Sequence, residues 1–225
     1  MSEAVNPNAA IYLLERQAHG RLADKLVFVE GDGPQRSITY GDLYKQAGCM
    51  AAFYRAHGIR RDERVAILVL DRIEFPVIFL GSMMAGVVPI AMNTLLATDV
   101  YDSILRDCRA TSLFVSAELL PVVEPILEDN SFLESIFVVG GTGGQTEKCQ
   151  SFDGALSDLS WEPAISVNGD EVAFWLYSSG STGQPKGVRH AHSSLQYTAE
   201  TYGSKVLGIR QDDVVYSAAK FFFAY

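Results

Sequence analysis

The residues best equipped for chemistry lie in one stretch, Tyr177-Ser178-Ser179-Gly180-Ser181-Thr182-Gly183-Gln184-Pro185-Lys186-Gly187. Gly180 and Gly183 free the backbone to turn its N–H groups toward one point, and amide nests of that kind bind anions. The hydroxyls of Ser178, Ser179, Ser181 and Thr182 add hydrogen-bonding groups, and Lys186 adds a compact charge suited to phosphate. A Ser/Gly linker would not need the apolar run Ala173-Phe174-Trp175-Leu176 that leads into this loop, and a strand there would hold it in place. The pattern is not a Walker A loop. Counting from Gly180, Pro185 stands where that pattern needs its second glycine, and Lys186 is followed by Gly187 in place of Ser or Thr.

Other candidates reduce to structure. Gly140-Gly141-Thr142-Gly143-Gly144 follows an apolar run, but the third position of a dinucleotide fingerprint counted from Gly141 is Thr146, where Gly or Ala is required. A surface turn is expected. His190-Ala191-His192 has no third ligand in sight, so His192 reads as helix-start packing or capping, and His57 before Gly58 as a helix end. Asp212-Asp213 reads as a turn before a strand. Cys49, Cys108 and Cys149 are far apart and lack the spacing of a zinc site or a disulfide framework; they read as reduced thiols of a cytosolic protein.

The elements that must carry the loop alternate. A helix is expected from Asn6-Pro7, with Ile11, Leu14 and Ala18 on one stripe, and Leu26–Val29 and Ser37–Tyr40 as a hairpin-like pair. Thr39 and Asp42 have capping-box spacing for a helix to His57. Strands are expected over Val65–Leu70, Val87–Ile90, Ser112–Val115, Ile136–Val139, Val172–Tyr177 and Val214–Ala218. Helices are expected before Gly86 and over Asp99–Arg109, Glu118–Leu127 and His192–Lys205. Strands separated by helix-length segments predict an α/β fold of mostly parallel sheets with helices on both faces. The uncharged stretch Phe75–Thr98 is long enough for a membrane span, but Pro76, Gly81, Gly86 and Pro89 interrupt it, and a buried helix followed by a buried strand is expected.

The string Tyr177-Ser-Ser-Gly-Ser-Thr-Gly-Gln-Pro-Lys-Gly-Val188 resembles the phosphate-binding signature of adenylate-forming acyl-CoA synthetases. The resemblance runs from Ile38-Thr39-Tyr40 through Gly86-Val87-Val88-Pro89 to Tyr225. Trp175–Ser179 and Ser217–Tyr225 are most similar to benzoate- and hydroxybenzoate-CoA ligases. The resemblance implies ATP-dependent activation of an aromatic carboxylate to an acyl-adenylate, then transfer to coenzyme A, with Mg2+ as cofactor. It implies that Lys186, with Ser178, Ser179, Gly180, Ser181, Thr182 and Gly183, clamps the β- and γ-phosphates, that Thr182 or a neighbouring hydroxyl touches Mg2+, and that Ala224 and Tyr225 form the aryl wall.

Family members are much longer. The chain is therefore expected to be an incomplete N-terminal AMP-binding domain, with about 60–205 as one subdomain and 1–59 and 206–225 as parts of a second. The C-terminal domain with its main catalytic Lys would lie outside it, and the chain would complete neither half-reaction alone. Its end within the aromatic run Phe221–Tyr225 fits that expectation. With 27 acidic against 18 basic residues and no Lys/Arg-rich run, a nucleic-acid backbone partner is excluded, and neither a membrane anchor nor a signal peptide is expected. Two other functions share the loop chemistry: a fatty-acid or other carboxylate-CoA ligase, and a non-catalytic nucleotide- or phosphate-binding module.

Overall fold

Side-chain alternation in the central strands builds two cores back to back. In β3 (Arg64–Leu68), Val65 and Ile67 enter one cluster and Ala66 and Leu68 the other, because successive strand residues point to opposite faces. A strand apolar on both sides must be covered on both sides. The computed structural model describes residues 6–31, 35–143, 147–179 and 185–223. On one face lie α1 (Tyr40–Ala56) and α2 (Glu74–Ala85); on the other lie α3 (Thr98–Cys108) and α4 (Leu120–Leu127). The expected α/β architecture, with helices on both faces, is what forms.

The main sheet also contains β4 (Val88–Ala91), β5 (Ser112–Ser116), β6 (Ser135–Val139), a short β7 (Cys149–Ser151), β8 (Val172–Ser179) and β9 (Pro185–Ala191), in the order β7-β6-β5-β3-β4-β8-β9. Every pairing is parallel except β8–β9. The connection from β3 runs to β4 on one side, and β5 then returns to the other side of β3. The carboxyl end of β3 therefore lies at a topological switch point, where open α/β sheets bind ligands. Leu26–Val29 and Ser37–Thr39 form the expected antiparallel pair, a separate two-stranded sheet.

Local signals explain the helix ends. The Thr39 hydroxyl accepts the Asp42 N–H at 3.1 Å to open α1. Gly86, at φ +73°, closes α2 in the left-handed conformation. The uncharged stretch 75–98 divides between α2 and β4 as expected, and among the described residues no helix is long and apolar enough to cross a membrane.

Three expectations need correction. The N-terminal helix is a short helical stretch, π-wound over Ile11–Glu15, although Leu14 and Ala18 are buried as the stripe requires. Cys149–Ser151, absent from the expected strands, adds to the sheet beside β6. The strand expected over Val214–Ala218 is irregular and exposed. Its backbone has no neighbouring strand among the described residues, and a strand without a ladder leaves its N–H and C=O groups to water.

Candidate functional site

The described residues of the 177–187 stretch lie on the two strands of a hairpin. β8 leaves the carboxyl-end edge of the sheet and β9 returns antiparallel, with Ser178 opposite Lys186, Tyr177 opposite Gly187 and Phe174 opposite His190. Lys186, expected in a loop, is therefore a strand residue, and the connection narrows to 180–184. β9 was missed because Pro185, Lys186, Gly187 and Arg189 read as loop; an edge strand tolerates all of them. Gly180, Ser181, Thr182 and Gly183 lie outside the described residues, as do Ala224 and Tyr225. Ser179 is paired with Pro185 through the backbone ladder.

Alternation fixes which way the hairpin faces. Phe174 and Leu176 pack on the α1/α2 side, and Trp175 and Tyr177 on the α3/α4 side. Ser178 continues the first row, and Lys186 stands across from it on the same face. Both are exposed, so an ammonium and a hydroxyl stand side by side on the last rungs of the β8–β9 ladder. On the opposite face the Tyr177 hydroxyl donates to the Asp107 carboxylate. Burial first, then that bond, pushes the Tyr177 phenol well above its ordinary range. Gly187 is fixed by the same packing. A Cβ there would come within 3.0 Å of both Trp175 Cε3 and Tyr177 Cζ.

The aromatic run near the end of the chain reaches the same face. Phe222 is 7% exposed and belongs to the α1/α2-side core. Phe221 stacks on Phe75 at 5.1 Å, Phe75 on Phe79 at 5.9 Å, Phe79 meets Phe174 edge-on at 5.3 Å, and Phe174 stacks on His190 at 4.6 Å. A row of five rings thus joins the run before Ala224 to the hairpin that carries Lys186.

Histidine and cysteine take structural roles. His192, the first residue of α5 (His192–Thr198), is buried, and its Nδ1 accepts the Ala9 N–H at 3.0 Å. Burial lowers its basicity, with Glu171 opposing the shift and Arg61 adding to it. His57 donates through Nδ1 to Phe53 O at 2.8 Å, at the end of α1. Cys49 and Cys108 are buried thiols, pushed upward mainly by burial, Cys108 to about 12, which disfavours a thiolate nucleophile. Gly140, at φ +77°, forms the expected turn, with its N–H bonded to Asp153. Asp213 closes its expected turn on the Arg210 N–H at 2.7 Å. Among the described residues no cluster of three or more His, Cys, Asp or Glu could hold a metal.

A cleft of about 1030 Å³ opens at the carboxyl ends of β3 and β6 beside α1. Its charges are largely spent on each other. Arg36 grips Glu30 and Glu74 with four hydrogen bonds, Arg72 pairs with Glu118, and Lys220 pairs with Asp71 at 3.2 Å. Burial raises the Glu74 carboxyl, but the Arg36 bonds outweigh it and leave Glu74 below its ordinary value. On the β8–β9 hairpin Lys186 is exposed. Sequence reasoning missed Asp71, which binds the Phe221 N–H as well as Lys220. Its signal was an acid just past an apolar parallel strand, where site residues gather.

A profile of the AMP-binding enzyme family matches residues 14–225. The chain is 43% identical over 97% of its length to a benzoate–CoA ligase of Thauera aromatica. It is 38% identical over 97% of its length to a 4-hydroxybenzoate–CoA/benzoate–CoA ligase of Rhodopseudomonas palustris. These alignments span 40% and 39% of the two relatives, so the chain covers about two fifths of their length. The fold superposes on a benzoate CoA ligase from Burkholderia xenovorans with a TM-score of 0.83 at 35% identity, covering 97% of this chain and 41% of that one. An anthranilate CoA ligase solved with anthranoyl-AMP gives 0.81 at 34% identity, over 91% of this chain and 37% of that one.

Proposed function

The chain belongs to the AMP-binding enzyme family, and we propose that it is the nucleotide- and acid-binding portion of an ATP-dependent aryl-CoA ligase. In this reading a benzoate or a hydroxy- or aminobenzoate attacks the α-phosphate of ATP. The C–O–P bond of the aryl-adenylate forms as the bond to pyrophosphate breaks. The coenzyme A thiol then displaces AMP to give the thioester. The observation that carries the proposal is the β8–β9 hairpin, which sets Lys186 against Ser178 on the face that also receives the Phe221–Phe223 run.

Each residue has a task. Negative charge grows on pyrophosphate as it leaves, and a fixed ammonium stabilises it more in the transition state than in bound ATP. Lys186 supplies that charge. Ser178, Ser179, Ser181 and Thr182, with the amides at Gly180 and Gly183, complete the phosphate cradle. A Mg2+ that arrives with the nucleotide needs only one or two hard oxygens from the protein. The exposed Ser178 hydroxyl beside Lys186 fits such a donor set, as does Thr182; the ion would neutralise phosphate charge. Ala224 leaves room for a flat ring and Tyr225 packs against it.

We place about 60–205 in one subdomain, with 1–59 and 206–225 contributing to a second. The separate two-stranded sheet of Leu26–Val29 and Ser37–Thr39 supports this division, while α1 spans it by packing on the main sheet. The low charge of the buried segments and the absence of a membrane-length helix among the described residues are compatible with a cytoplasmic enzyme.

Lys186→Ala in the full-length protein tests the proposal. Pyrophosphate formation should fall about a hundredfold, the ~3 kcal/mol typical of one lost charge-stabilising donor. Thioester formation from supplied aryl-adenylate should barely change, because pyrophosphate has already gone. Equal losses in the two half-reactions would make Lys186 a structural residue.

A further inference from the structure

We infer that Asp107 is a positioning residue for the β8–β9 hairpin: through the Tyr177 hydroxyl it ties the rungs that carry Ser178 and Lys186 to the end of α3. The inference rests on the reading of Lys186 as the group that meets the leaving pyrophosphate.

The hairpin outruns its sheet. β4 meets β8 at Ile90–Trp175 and Ala91–Leu176 and ends there. β8 and β9 stay paired beyond that point, through Tyr177–Gly187, Ser178–Lys186 and Ser179–Pro185. Among the described residues those last rungs form a two-stranded ribbon with no third strand beside it. Such a ribbon is marginal by itself, and both Ser178 and Lys186 are exposed on it. Of Tyr177, Ser178 and Lys186, it is Tyr177 whose side chain is hydrogen-bonded to the rest of the described fold, through its hydroxyl to the Asp107 carboxylate. Ring packing tolerates sliding, whereas a hydrogen bond to a charged group has a direction. Tyr177 stands directly opposite Gly187 and next to the Ser178–Lys186 rung, so a tie at its hydroxyl fixes where the ammonium points.

The anchor is firm. α3 buries Tyr101, Ile104, Leu105 and Cys108. Arg64 of β3 donates to Cys108 O at 2.9 Å and to Arg109 O at 3.1 Å, which fastens the end of the helix to the central strand. Asp107 stands one residue before that end. A carboxylate there faces the negative end of the helix dipole, so the helix itself gains nothing from it, and the bond to Tyr177 gives it a task. Asp107 is exposed and Tyr177 half-buried. Their bond is therefore expected to govern the aim of the ribbon more than the survival of the sheet.

The test compares Tyr177→Phe, Asp107→Ala, Asp107→Asn and the Tyr177→Phe/Asp107→Ala double variant with wild type in the full-length protein. Pyrophosphate formation, thioester formation from supplied aryl-adenylate and hydrogen exchange in the 185–191 peptide are each followed. Tyr177→Phe keeps the ring against Gly187 and loses only the hydroxyl. It and Asp107→Ala should each slow pyrophosphate formation about tenfold, the order of one hydrogen bond to a charged group. Thioester formation should barely change, because pyrophosphate has already gone. Asp107→Asn, whose amide oxygen still accepts the Tyr177 hydroxyl, should keep most of the rate. The double variant should be no slower than either single one, because both break the same bond. The peptide should exchange faster in both single variants. Unchanged pyrophosphate formation, equal losses in the two half-reactions, additive losses in the double variant, Asp107→Asn as slow as Asp107→Ala, or retained exchange protection would overturn the inference while leaving the ligase reading intact. Wild type that forms no pyrophosphate with ATP and an aromatic acid would overturn the reading itself, and the inference with it.

Discussion

In β3, Val65 to Leu68 are all 0% exposed; Val65, Ala66 and Ile67 are held between β4 and β5, and Leu68 pairs with β5. In the segment 214–218, which also opens on valines, Val214 is 96% exposed and Tyr216 87%. Both runs are rich in β-branched residues, but their neighbours differ. β3 has a strand on either side and a helix layer on either face, so each side chain it buries is matched by a satisfied backbone. The later segment has neither among the described residues. β-propensity expresses fit to a paired, covered surface, and the β8–β9 hairpin lies between the extremes, paired and only partly covered.

The comparison can be broken at its buried end first. Phe114 on β5 is 0% exposed and packs on Phe53, Phe137 and Phe152. Phe114→Ala should cost ~3–5 kcal/mol, a large share of a domain's ~5–15 kcal/mol. Urea titration followed by circular dichroism reads it, and a loss under about 1 kcal/mol would mean the core is looser than its burial states. At the hairpin, Gly187→Ala should cost ~1–3 kcal/mol, as overpacking does. It should also slow pyrophosphate formation, because β9 must give way beside Lys186; a neutral outcome would show that Trp175 and Tyr177 swing aside freely.

A smaller effect follows from His192. Its folded-state pKa is depressed by burial, and its Nδ1 must stay unprotonated to accept the Ala9 N–H. Between its lowered value and the ordinary 6.5, the unfolded chain binds more protons. Stability is thus retained above pH 6.5 and falls as pH drops below it, by at most ~1.4 kcal/mol per pH unit for one proton. His192→Asn keeps an acceptor and should flatten the urea midpoint between pH 7 and pH 5, to a degree limited by His190, whose pKa burial also depresses. An unaltered slope would remove His192 from the account. The smallest effect belongs to the exposed run: Val214→Ala should stay within ~0.5 kcal/mol, and a larger loss in the same titration would show that the segment is packed.

Much of this was legible in the residues, for physical reasons that also mark where legibility stops. The runs at Val65, Ser112 and Ile136 announce themselves because interior parallel strands must be apolar on both faces. Thr39 with Asp42, and Gly86, announce helix ends because caps need those residue types. β9 was hidden because an edge strand need not be apolar, and Lys186 was therefore assigned to a loop. The Val214 run misled because sequence shows the propensity and not the partner. For the site, the hairpin residues were found from their chemistry, but their meeting with Phe221 through Phe75, Phe79 and Phe174 depends on how α2 lies across β8. The Asp71 contacts, 149 and 150 residues distant along the chain, depend on it equally.

The central claim is the proposal that the β8–β9 hairpin holds ATP for the activation of an aromatic acid. Pyrophosphate release by the full-length protein, with ATP and Mg2+ and a panel of carboxylates, tests it most directly. The account predicts turnover with benzoate or a hydroxy- or aminobenzoate and little with octanoate. Octanoate turned over as well as benzoate would contradict it and assign the hairpin to a fatty-acid ligase.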